Sequence, residues 1–276
     1  MHEDLLDYFQ KHQQHLEHYL ALCCEEPEYE MVHQLRVSIK RLKAVLHFTG
    51  QVTGNDKIGA KKQIKSLRKL FKVAGNLRDL QVQQKLIPEY EAKLNSEFGL
   101  YLSYLEKIEK QSVRNFCLFI ANSKPIHKLT SGRELIETSL ASLTPDEIRL
   151  RAGQLLSSRC SILRQMLIAR PDDKQLHEMR TIIKQMRYIM SVMRKSAPDA
   201  VEQLVSLASL TEAEVLLGKW HDVVVGIEFL KDFRDTTDFK DKSDARKYGI
   251  LAETLEKERV KLRKQIGKSL EKSLGT

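Results

Sequence analysis

The chain repeats itself at long range. His33-Gln34-Leu35-Arg36, followed by Ile39, Lys40 and Lys43, returns about 144 residues later as His177-Glu178-Met179-Arg180, followed by Ile183, Lys184 and Arg187. A second landmark follows each copy. Gly75-Asn76-Leu77-Arg78-Asp79 lies 42 residues after His33, and Gly218-Lys219-Trp220-His221-Asp222 lies 41 after His177. Self-similarity at a fixed period limits the possible architectures more than any single element does. It predicts one domain over residues 1–276 made of two similar halves, 1–130 and 131–276, packed about a pseudo-twofold axis.

The apolar pattern says what the halves are made of. Leu35, Ile39, Leu42 and Leu46, like Met179, Ile183, Met186 and Met190, recur every three to four residues, the period of a helix with one buried face. Twelve Gly and six Pro among 276 residues are roughly half the usual share of about 12%, so few breakers remain for short strands and turns. The prediction is an all-α chain of ten or so helices. Thr144-Pro145-Asp146-Glu147 combines a capping threonine, a proline suited to the first turn and a glutamate three residues on, so a helix is expected from 144 to about 169. Breaks are expected at 26–27, 50–56, 122–132, 170–173, 197–198 and 236–243, and also at Gly75 and Gly218. A last charged helix should span about 244–272.

The net charge of +9 is concentrated in one place. Between residues 31 and 78 there are twelve Lys and Arg against one acid, Asp56, so this segment alone exceeds the charge of the whole chain. At about 100° per residue, His33, Arg36, Lys40, Lys43 and His47 form a stripe within an arc of roughly 80°, beside the apolar face. Lys61, Lys65, Arg68 and Lys72 form a second, and the short 50–56 connection makes the two helices antiparallel neighbours. His177, Arg180, Lys184, Arg187 and Arg194 form a third. Charge normally lies opposite the core, so cations bordering the buried face point to an anionic ligand.

These residues resemble the CHAD domain family. His33-x-x-Arg36-Val37-x-x-Lys40-Arg41-Leu42-Lys43 and Gly75-x-x-Arg78-Asp79 look like its first-half signatures, and His177-x-x-Arg180-x-x-x-Lys184-x-x-Arg187-Tyr188 like its second. The resemblance implies two four-helix bundle halves around a basic central channel that binds inorganic polyphosphate, without catalysis. Two departures stand out: residues 197–218, the counterpart of the lysine-rich 57–72 segment, contain no Lys or Arg, and His221 replaces Arg78. The Glu-x-Glu-x-Lys strand motif of triphosphate-cleaving domains found beside some family members is not matched, because Val260 follows Glu256-x-Glu258.

A polyphosphate chain has closely spaced oxygens and no bases, so its receptor needs a row of donors. Arg grips oxygens bidentately and Lys supplies a compact charge. The expected contacts are His33, Arg36, Lys40, Lys43, Lys61, Lys65, Arg68, Lys72, Arg78, His177, Arg180, Lys184 and Arg187. His33 and His177 read equally well as proton-taking members of the site or as structural histidines. Asp79 and Asp222 read as carboxylates that orient neighbouring cations.

Nucleic acid is the alternative partner, although only Phe48 and Phe71 offer aromatic rings in the basic segment, with Phe71 on the apolar side. A metal-assisted phosphoanhydride enzyme is the other alternative, but no acidic pair near the stripes suits Mg²⁺. No cofactor is implied, no nucleotide-binding or nucleophile motif is found, and the sequence names no protein partner. His12, His15 and His18 drift around their helix and read as surface histidines. Four cysteines without metal or redox spacing, the absence of a 20-residue apolar run and an acidic start over residues 1–10 point to the cytoplasm, with polyphosphate granules as a candidate location.

Overall fold

The computed structural model describes residues 2–55, 58, 62–123, 132–193, 207–239 and 241–275, with the side chains of 62, 63 and 207–209 excepted. Among the described residues there are nine helices and no strand: α1 (His2–Glu25), α2 (Tyr29–Thr53), α3 (Lys62–Leu94), α4 (Gly99–Ser123), α5 (Gly132–Leu140), α6 (Pro145–Ile168), α7 (Asp173–Met193), α8 (Leu207–Thr236) and α9 (Lys242–Leu274). Within them, no helix is long and apolar enough to cross a membrane.

Local chemistry sets several boundaries. The Thr144 side chain accepts from Glu147 N while the Glu147 carboxylate accepts from Thr144 N, so the expected capping box opens α6. Gly54, at φ +67°, closes α2 in the left-handed conformation that glycine adopts without a Cβ clash. Two expected breaks are absent. α3 runs through Gly75 and α8 through Gly218, because a single glycine costs a helix only about 1 kcal/mol, which packing on both sides easily outweighs.

Helices adjacent in sequence pack in order: α1 on α2, α2 on α3 and α3 on α4, then α6 on α7, α7 on α8 and α8 on α9. Between the two series, α2 meets α6 and α7, and α3 meets α8. The apolar faces merge into one core that draws residues from all nine helices, including Leu35, Ile39, Leu42, Met179, Ile183 and Met186. At one end, Tyr101 of α4 and Tyr248 of α9 pack on Phe233 of α8, with ring centroids 5.1 and 4.9 Å away. α2 and α7 touch each other in this assembly, and along their polar stripes Arg36, Lys40, Lys43, Arg180, Lys184 and Arg187 are half-buried while His177 is exposed.

Candidate functional site

α2 and α3 run antiparallel, as three hydrogen bonds establish. Arg36 Nη1 donates to the Phe71 carbonyl at 3.0 Å, Arg78 Nη1 to that of Tyr29 at 2.8 Å, and Gln81 Nε2 to that of Pro27 at 2.8 Å. α7 and α8 pair in the same sense: Arg187 bonds Glu214, and the His177 and His221 rings lie 5.2 Å apart. At the α3–α8 crossing, Gln83 Nε2 donates to the Asp222 carbonyl at 2.7 Å, and its Oε1 lies 2.6 Å from where a Cβ on Gly226 would stand.

Arg36 explains the glycine that was expected to break α3. A Cβ on Gly75 would stand 2.4 Å from Arg36 Nη1, so the bare backbone makes room for the guanidinium. The same guanidinium carbon lies 4.2 Å from the centroid of Phe71, while Lys43 Nζ and Lys40 Nζ lie 5.1 and 5.7 Å from it. Phe71 is therefore a ring beneath three cations. Its negative face offsets part of their mutual repulsion.

Charge is crowded where α2 meets α7. Burial, reinforced by Lys184, Arg36 and Arg180 and opposed by Glu214, pushes the Lys40 ammonium down to about 6. Burial with Arg180 and Arg36 nearby pushes Lys184 down to about 8, against the pull of Glu214 and Asp222. Arg36 is lowered to about 10, chiefly by burial, with Asp79 opposing and Arg180 and Arg78 adding to the effect. Burial raises Asp79 and Asp222 even though the arginines pull them down. The repeat-related pairs Arg36 and Arg180, Lys40 and Lys184, and Asp79 and Asp222 each lie within electrostatic reach of one another. Burial is the main cause in each case, with the neighbouring cations adding to it, and an anion placed among them would offset both.

The other expected residues divide into groups. Lys43, half-buried, is influenced by Arg68, and both act on His47 together with Arg159 of α6, which extends the basic run beyond the stripes. Lys65, Arg68 and Lys72 are exposed along α3. His33 is half-buried, its proton affinity lowered by burial and by Arg78; His177 is exposed at its end of α7, where burial of the ring and Arg180 act in the same direction. His221 is pushed down to about 3 by burial and by Arg180, so it is neutral. Arg78 is 9% exposed, with its guanidinium carbon 3.4 Å above Tyr29. It is anchored in the fold, and Arg187 is engaged by the half-buried Glu214. Lys61 and Arg194 fall outside the described residues.

Sequence reasoning missed Arg159, which belongs to neither repeat landmark, and the role of Phe71. Among the described residues no group of three or more His, Cys, Asp or Glu is arranged to hold a metal ion. His12 is buried against the Tyr8 ring at 4.3 Å, not on the surface as its spacing suggested.

With this geometry in place, the comparisons fall on one family. The CHAD domain matches residues 7–231. The chain belongs to the CHAD domain family. Two solved structures share its fold. One is the CHAD domain from the plant Ricinus communis, with a TM-score of 0.68 and 18% identity, covering 100% of this chain and 92% of that one. The other is PptA from Streptomyces chartreusis, with a TM-score of 0.71 and 15% identity, covering 98% of each chain. No curated protein sequence matches. The CHAD match thus takes in α2, α3, α7 and nearly all of α8, the helices that assemble the basic centre.

Proposed function

We propose that this CHAD protein binds inorganic polyphosphate along a basic channel between its two halves and performs no chemistry on it. The observation that carries the reading is the meeting of Arg36 and Lys40 of α2 with Arg180 and Lys184 of α7, each half-buried and mutually repelling. Family membership supports it, since CHAD domains are associated with polyphosphate binding. The exposed Lys65, Arg68 and Lys72, with Lys43 and Arg159, would continue the track from the centre to the surface. The pseudo-twofold arrangement belongs to the same proposal, and repeat-related cations within reach of one another support it.

Binding here is multivalent electrostatic capture. Each half-buried cation exchanges a crowded, poorly hydrated environment for phosphate oxygens, and charged hydrogen bonds of that kind contribute about 1.5–3 kcal/mol each. Asp79 and Asp222 offset part of the charge on Arg36 and Arg180 through space. The test mixes the protein with long-chain polyphosphate, single-stranded nucleic acid and ATP at about 0.15 M salt, measuring retention and phosphate release. Preferential retention of polyphosphate without release is expected. Equal retention of nucleic acid would move the assignment to that partner, and release of phosphate would make the protein an enzyme.

A further inference from the structure

The C-terminal half of α9 presents a different basic surface. Lys257, Lys261, Lys264, Lys268 and Lys272 follow one another at spacings of four and three residues, which places them within an arc of roughly 80° at 100° per residue. All five are exposed. Four of them, with Val260 and Gln265, line a shallow depression of about 300 Å³. At 1.5 Å per residue the row is about 22 Å long.

Four other charges of α9 are committed elsewhere. Arg259 and Arg263 turn to Asp173 of α7, Glu256 bonds Arg259, and Glu258 bonds Lys93 and Tyr90 of α3. Of the row, Lys257 lies 3.8 Å from the Glu253 carboxylate, and the exposed Glu271 is one turn beyond Lys268. The helix is thus divided into a side whose charges pair with α3 and α7 and a predominantly cationic side with Glu253 and Glu271 at its edge. The CHAD match ends at residue 231, so α9 lies beyond it.

We propose that this lysine row is a second binding track for a linear phosphate polymer, so that one molecule can hold two segments of inorganic polyphosphate and bridge separate chains. The proposal rests on the reading of the central cations as the first polyphosphate site. A straight row of compact charges fits a strand without bases, and the row has no aromatic side chain on which bases would stack. Insertion into a membrane surface is disfavoured because the apolar face of α9, including Leu255, Leu262, Ile266 and Leu270, is already buried in the core.

The test compares the wild-type chain with a K257Q/K261Q/K264Q/K268Q variant and a K40Q/K184Q variant, all checked for unchanged helicity and cooperative melting. Light scattering follows their assembly on long-chain polyphosphate, and calorimetry follows their affinity for a short oligophosphate. The wild type should form large assemblies on long chains. The α9 variant should bind the short chain within about twofold of wild type yet lose assembly. A variant that assembles like the wild type overturns the second track, as does an α9 row that takes duplex DNA in preference to polyphosphate. If short-chain binding survives in K40Q/K184Q and disappears in the α9 variant, the central reading falls while the α9 track stands.

Discussion

The α2–α3 pair and the α7–α8 pair are built from matching landmarks and surround their central cations differently. In α2–α3, Gly75 makes room for the Arg36 guanidinium, and Phe71 lies beneath Arg36, Lys40 and Lys43. Exposed Lys65, Arg68 and Lys72 follow along α3. In α7–α8, Gly218 faces open space, Arg187 is bonded to Glu214, and His221 stands where the other half has Arg78. Burial lowers Lys184 of α7 as it lowers Lys40 of α2, but Arg187 is paired with Glu214 inside its own helix pair, whereas Lys65, Arg68 and Lys72 of α3 are left exposed. Binding energy should therefore come mainly from α2–α3, with Arg180 and Lys184 as the contribution of α7.

The largest expected effect tests that inequality. R36Q/K40Q should weaken polyphosphate binding about 100-fold, two charged contacts at about 1.5 kcal/mol each, whereas R187Q should change it less than about threefold, since Glu214 already holds Arg187. Equal losses, read by calorimetry, would erase the distinction between the two helix pairs.

Acidity should sharpen it next. The empty site holds Lys40 near 6, and a bound polyanion would raise it, so binding takes up a proton across the neutral range and tightens as pH falls. We expect an affinity gain of roughly tenfold from pH 8 to pH 6. Calorimetry in buffers of different ionisation enthalpy should give net proton uptake, reduced in K40R, whose guanidinium stays charged. Uptake unchanged in K40R would transfer the effect to Lys184, His33 and His177.

The two glycines make a smaller but cleaner contrast. G75A should displace the Arg36 guanidinium and weaken binding about fivefold, less than the loss of one full charged contact. G218A meets open space in a helix interior, so it should leave binding unchanged and add about 0.5–1 kcal/mol of stability. The smallest effect concerns Lys40 itself. Its folded-state proton affinity is below that of the unfolded chain, so the unfolded chain binds more protons from about pH 6 up to the usual lysine range, and stability rises with pH across that window. K40M should flatten that rise and stabilise the protein by about 1 kcal/mol, roughly 2–4 °C in Tm, while weakening binding.

The all-helical fold was legible because its signals are local. Apolar spacing, the Thr144 capping box and the scarcity of Gly and Pro each report on a few consecutive residues, and the structure agrees with them. Gly75 misled the reading because its purpose is set by Arg36, on a different helix. The Arg36, Lys40, Arg180 and Lys184 cluster was anticipated through the repeat, which encodes a long-range relation within one sequence. Phe71 was placed with the apolar residues, since periodicity gives the direction of a ring and not the cations that a neighbouring helix brings over it. Arg159 carried no signal, because its relation to His47 and Lys43 arises only from the packing of α6 on α2.

A double-mutant cycle between Lys40 and Lys184 reaches the central claim most directly. If both lysines grip one polyphosphate strand, removing either relieves the other, which then carries more charge and recovers part of the loss. K40Q/K184Q should then weaken binding by about 1 kcal/mol more than the two single substitutions together. Losses that simply add would place the two lysines on separate surfaces and contradict a shared channel.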